Sequence, residues 1–287
     1  MTGLTLTVTS ADLRAQAEEL ARQLREEGLT VELTDEDPGD SLVFEAVGDA
    51  LSDGREVLAV LRRGDPRDGL IVSDAHAVQL AELLARDPSA IHPADPLRAV
   101  GVEGRVAAAG DLRRALITAT RPDVRVVSVP GHGEAHEAVS AGEADAAVLP
   151  AAWLEDHGLD HLIRRRLDAP WNTEAGASAT WVRGPWEAAL REALLPWDDR
   201  VSRLGVVAEL AVQNTVEIAP GVLFGVSATV SHSRLDLRAL AIEPVSGASL
   251  AAVRAGEATM RGAHRLAAIL ARDLQEKGLG ALGRSDA

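Results

Sequence analysis

The chain has 287 residues, about twice a typical domain of ~150 residues, so more than one compact unit is expected. Its 44 acidic side chains outnumber 29 basic ones, and the net charge of −15 disfavours phosphate backbones and anionic lipid as partners. Cysteine is absent, which excludes disulfides, thiolate nucleophiles, cysteine-ligated metals and any group tethered through sulfur.

Leu4, Leu6 and Val8 alternate with three threonines, the period of a strand with one buried face. Ser10 is placed to cap a helix in which Leu13, Ala17, Leu20, Ala21 and Leu24 recur until Gly28 ends the run, and Leu29 to Leu33 reads as a second strand. Strand, helix and strand within ~30 residues make a βαβ unit, hence a largely parallel sheet with helices on its faces. The acidic stretch 35–41 is a loop, and a short helix is predicted around Phe44 to Leu51. Residues 57–61 and 70–72 read as strands, 75–85 as a helix, and 87–96, with three prolines, as a surface loop.

The βα alternation restarts with a strand at 105–107, a helix at 111–120, a strand at 124–129, a helix at 134–141, a strand at 146–149 and a helix at 153–157. Beyond a helix at 201–215 the grammar changes. Strands at 225–231, 235–242 and 249–255 precede a long helix at 259–276, which is α+β order. The expected fold class is α/β: two βα lobes plus a small C-terminal α+β domain. The expected lobes are 1–69 with 171–197 and then 70–170, and the third domain is 198–287.

Two histidine pairs, His132/His136 and His157/His161, have the i, i+4 spacing that brings imidazoles to one helix face. The zinc-protease glutamate is missing and Pro130-Gly131 places His132 on a loop, so surface histidines are the better reading. The run Arg164 to Arg166 suits a planar anion, but a cation-decorated helix end is the simpler account. Gly131-His132-Gly133 lacks the third glycine of a dinucleotide loop. Trp171, Trp181, Trp186 and Trp197 are expected at an interdomain seam. No spacing marks a Ser-His-Asp group or an acid–base pair of carboxylates. The residues alone reach a cleft between two lobes that holds a small anionic ligand.

Four stretches carry a resemblance to a known family. Arg63-Gly64-Asp65-Pro66-Arg67-Asp68-Gly69-Leu70 is similar to the Glu-Asp-Pro-Arg-Asp-Ala-Leu segment of porphobilinogen deaminases (hydroxymethylbilane synthases) of tetrapyrrole biosynthesis. Residues 121–131 with 142–159, 235–247 and 262–278 resemble, in order, the second-lobe strands, the third-domain hairpin and the C-terminal helix of that family. The resemblance implies two periplasmic-binding-protein-like lobes, a third α+β domain, an interlobe ligand cleft, and a transferase that condenses four porphobilinogen units head to tail.

The same resemblance implies a dipyrromethane primer held by a thioether to a cysteine of the third domain. In this chain the matching loop is Ile218 to Gly225, with Pro220 at the cysteine position, so no covalent cofactor is expected. The family's Ser-Leu-Lys-Asp-x-Pro acid motif is missing; Asp65 and Asp68 are the candidates left, Asp65 through a rival register. The Ser-Ser-Leu-Arg-Arg anion clamp survives as Arg113 and Arg114, the Thr-Arg-x-Ser motif keeps Ser10, and His136 stands at an arginine position. Two readings follow from the resemblance. One is an enzyme that still polymerises porphobilinogen on a non-covalently held primer, with Arg113 and Arg114 as clamp and Asp65 or Asp68 as acid. The other, favoured by the missing groups, is a pseudoenzyme that binds a small anion or a partner enzyme without catalysis. Expected partners are a small anionic molecule, porphobilinogen or a linear tetrapyrrole, with no nucleic acid and no membrane. Met1-Thr2-Gly3-Leu4 has no basic or apolar leader character, and a cytoplasmic monomer is expected.

Overall fold

Alternating apolar residues and short βα connections build two sheets of the same design. The structure is a computed structural model, which describes residues 4–9, 13–36, 38, 41–47, 56–87, 97–98, 100–167, 171, 173, 175–185 and 187–283; at 83 and 84 it describes the backbone alone. The first sheet orders β2 (Val31–Thr34), β1 (Leu4–Val8), β3 (Leu42–Ala46), β10 (Thr180–Gly184) and β4 (Glu56–Val60). The second orders β7 (Arg125–Ser128), β6 (Arg105–Ala108), β8 (Ala146–Pro150), β5 (Asp68–Val72) and β9 (Arg165–Arg166). In both, the first three strands are parallel and the fourth is antiparallel to its neighbours.

The fourth strand of each sheet arrives from the other lobe. The chain crosses from β4 to β5 through residues 61–67, and returns from β9 to β10. Two crossings side by side are what a pair of lobes around a cleft requires.

Period-2 burial explains the second lobe. Leu70, Val72, Val106, Ala108, Ala146 and Val148 face α3 (Asp111–Thr120), whereas Ile71, Ala107, Ala147 and Leu149 face α4 (His132–Ser140) and α5 (Ala151–Asp156). Helix α2 (Asp74–Arg86) follows β5. In the first lobe α1 (Arg14–Glu26) buries Ala17, Leu20, Ala21 and Leu24, and α6 (Ala188–Leu194) adds Leu190 and Leu194. Each buried leucine contributes about 2 kcal/mol of apolar transfer energy.

The third domain stacks α7 (Arg200–Gln213) and α8 (Met260–Glu276) on an antiparallel sheet of β11 (Leu223–Ser231), β12 (Arg234–Ile242) and β13 (Ser249–Glu257). On β12, Leu235, Leu237, Ala239 and Ala241 enter this core, while Leu240 and Ile242 on the other face pack into the second lobe beside Trp171. The third domain is thus docked on the lobes through shared apolar surface.

Three expectations change. The apolar run at 44 is strand β3 rather than the start of a helix, because Leu42, Val43 and Phe44 are covered on both sides between β1 and β10; residues 48–51 lie outside the described residues. Arg165 and Arg166 form an edge strand on β5, not a helix end. His132 is the first residue of α4, not a loop residue. No helix among the described residues is long and apolar enough to cross a membrane.

Candidate functional site

The interlobe cleft has a volume of about 620 Å³ and takes its floor from the first crossing. Arg62 and Asp65 come from that crossing, Gln16 and Ala46 from the first lobe, and His132 and Trp153 from the second. The Trp153 indole is fixed edge-on to His132, with centroids 6.0 Å apart, and stacks on His157 at 4.2 Å.

Charge in the cleft is already spoken for. Asp65, a carboxylate that burial alone would push up, is held below its usual range by Arg67 at 2.8 Å and Arg166 at 2.7 Å. Arg166 is also bonded to Glu155. Asp156, likewise lining the cleft, is raised by desolvation, against the pull of His157 and with a push from Glu155. Arg63 carries its guanidinium away to Glu209, forming a bidentate pair at 2.8 and 3.1 Å with both side chains buried. Among the described lining residues, Arg62 is the guanidinium with no ion pair or hydrogen bond.

Asp68 and Arg113 are brought together, but on each other. Asp68 is 2 % exposed at the start of β5, and Arg113 Nε donates to its two oxygens at 2.9 and 3.0 Å. Arg114 is bonded one helical turn back to Asp111. Neither arginine lines the cleft. Pro220 sits exposed in the turn before β11, with Gly221 at φ +84° supplying a left-handed step, and is also outside the cleft lining. Ser10 lies outside the described residues.

His136 lines a different cavity, about 560 Å³, with Ser73, His76, Arg105 and Asp145. Ser73 Oγ lies 3.0 Å from His76 Nδ1, and Asp145 Oδ1 lies 4.0 Å from the same nitrogen. Spacing gave no hint of this trio, whose members come from two segments about 70 residues apart in sequence. A hydrolytic relay needs hydroxyl and carboxylate on opposite ring nitrogens, so the trio is not one. Arg105 holds Asp145 below the usual aspartate range. His157 and His161 each place Nδ1 on a nearby carbonyl, of Trp153 and Gly158, at 2.8 and 3.1 Å. Among the described residues no three His, Asp or Glu side chains form a metal-binding group.

The tryptophans fall at separate contacts. Trp181 packs with Val206 of α7, Trp171 with Leu240 and Ile242, and Trp197 against the first-lobe core; Trp186 lies outside the described residues.

Two α/β lobes joined by paired crossings, with a cleft between them and a small third domain docked at the crossings, define a bilobal α/β protein. Porphobilinogen deaminase of Xanthomonas oryzae pv. oryzae (strain PXO99A) is 32% identical over 177 residues, 60% of this chain and 52% of that protein. Porphobilinogen deaminase of Micrococcus luteus is 30% identical over 185 residues, 57% of this chain and 44% of that protein. Over a little more than half of its length the chain is similar to porphobilinogen deaminases at 30–32% identity. It spans about half the length of the curated relatives it matches. No family model matches. Solved structures similar in part include a putative lipoprotein from Ruminococcus gnavus (TM-score 0.41, 10% identity, 68% of this chain and 90% of that one). Another is the amino acid ABC transporter substrate-binding protein AbpA from Streptococcus pneumoniae (TM-score 0.36, 15% identity, 67% and 85%).

The dipyrromethane that the family resemblance implies does not fit this chain. A thioether needs a thiol, the sequence has no cysteine, and the matching loop presents an exposed proline ring.

Proposed function

We propose that this protein is a non-catalytic member of the porphobilinogen deaminase family, a binding protein whose interlobe cleft takes a small carboxylate-bearing ligand such as porphobilinogen without polymerising it. The observation that carries this reading is the Asp68–Arg113 pair: a candidate acid and the arginine at the clamp position are bonded to each other, and neither lines the cleft. Condensation of four units places many carboxylates in one site, and each needs a fixed cation. Here Arg62 is the uncommitted guanidinium of the described cleft lining, enough to orient one carboxylate, with Trp153 offering a flat apolar face. The carboxylates Asp65, Glu155 and Asp156 in the lining oppose a longer polyanion.

The test pairs calorimetry with product analysis on the full chain. Porphobilinogen should give saturable heat that weakens about tenfold in Arg62→Gln, and prolonged incubation should yield no uroporphyrin after oxidation. Uroporphyrin formation overturns the non-catalytic reading; absence of heat overturns the ligand.

A further inference from the structure

The first crossing borders a second cavity. This space, about 610 Å³, shares Arg63, Gly64 and Asp65 with the cleft but is closed by the third domain, through the first turns of α7 and through Thr229 and Arg238. It continues into a recess of about 60 Å³ lined by Thr173, with Pro66, Arg67, Ala228, Thr229 and Arg238 common to both.

Strand geometry decides what faces this groove. On β12 the odd-numbered residues 235 to 241 point into the third-domain core, so Asp236 and Arg238 project from the opposite face. Further along that face, Leu240 and Ile242 are taken up by the second lobe, and Arg238 is left half-buried at the lip. The surrounding charges are already paired: Arg63 with Glu209, Asp65 with Arg67 and Arg166, Asp68 with Arg113, and Asp236 with Arg234. Arg238 has no hydrogen bond or ion pair with any described residue.

A second donor stands unmatched in the same groove. Thr173 is 8 % exposed, its Oγ1 has no hydrogen-bond partner, and its carbonyl accepts from Val226 N at 2.8 Å, which ties it to β11. A half-buried guanidinium and a buried hydroxyl are costly to leave unpaired, and both can donate. Asp236 on the same strand face feels the Arg238 charge, but Arg234 holds its carboxylate, so the Arg238 guanidinium keeps its donors for a ligand. A guanidinium and a hydroxyl with open donors in one groove match an oxyanion.

We propose that the groove between the first crossing and the third domain is a binding site for a small oxyanion, a carboxylate or a phosphate, held by the Arg238 guanidinium and the Thr173 hydroxyl with Thr229 at the wall. The site is separate from the cleft and stands whether or not the cleft takes a ligand.

Calorimetry on the full chain at low ionic strength tests it, with succinate and inorganic phosphate as separate probes. One probe should saturate a single site, and which one does so decides between carboxylate and phosphate. Arg238→Gln should weaken binding about tenfold and Thr173→Val about threefold, while Arg62→Gln in the cleft leaves it unchanged. Failure of both probes to bind, wild-type affinity in Arg238→Gln, or a loss that follows Arg62→Gln overturns the proposal. If Arg238→Gln does not fold, Thr173→Val carries the test, and unchanged affinity there overturns it.

Discussion

The pairing of Asp68 with Arg113 commits two charged side chains to each other. Both are polar, both match family positions, and each satisfies the other inside the second lobe. Removing one partner of such a pair leaves an uncompensated buried charge, which costs about 3 kcal/mol. Arg113→Ala should therefore lower the urea midpoint while leaving porphobilinogen heat in folded protein unchanged; a ligand clamp would show the reverse. Acid should act on the same kind of contact. Arg105 depresses Asp145, Arg234 depresses Asp236, and for Asp65 the arginines Arg67 and Arg166 outweigh the upward push of burial. Each folded pKa lies below the ordinary 3.8, so the stabilisation is present above that value and lost as pH falls through the folded values. The thermal midpoint should be flat from about pH 5 to neutrality and fall below about pH 4, with a shallower fall in Asp145→Asn.

At the scale of elements, capping and periodicity made most of the chain legible. Helix α8 follows from an amphipathic run and from Thr259, whose hydroxyl accepts from Gly262 N at 3.0 Å. Thr259→Ala should cost about 1 kcal/mol in chemical denaturation. The misread element, β3, carries a short apolar run that suits either state, and pairing with β1 and β10 decides it. Strand β10 escaped detection for a related reason: its antiparallel partners lie more than 120 residues earlier, and Thr180 to Gly184 shows no alternation because all five strand residues are buried.

At the scale of the molecule, Glu209 is the junction between the lobes and the third domain. From α7 it binds Arg63 of the first crossing, the Gly176 amide near the second, and the Ala228 amide of β11. Gly176 is at φ +75°, and a Cβ there would overlap Val47, so glycine is required for this approach. Glu209→Gln should destabilise the protein by about 3 kcal/mol and raise hydrogen exchange at residues 176 and 228 together, as measured by mass spectrometry. Exchange confined to one of the two would mean that the crossings and the third domain are not coupled through this carboxylate.

The sequence by itself determined the α/β class, the order of most elements, the family resemblance and the absence of a thiol for a tethered cofactor, because these depend on local periodicity, turn chemistry and composition. Candidate charges were legible as residue types, yet their availability was not. A guanidinium is free or spent according to which carboxylate lies within about 3 Å, and those partners are set by long-range strand pairing. Only the tertiary structure decided that Arg113 is spent on Asp68, that Arg63 is spent on Glu209, and that Arg62 and Arg238 are left facing two different cavities.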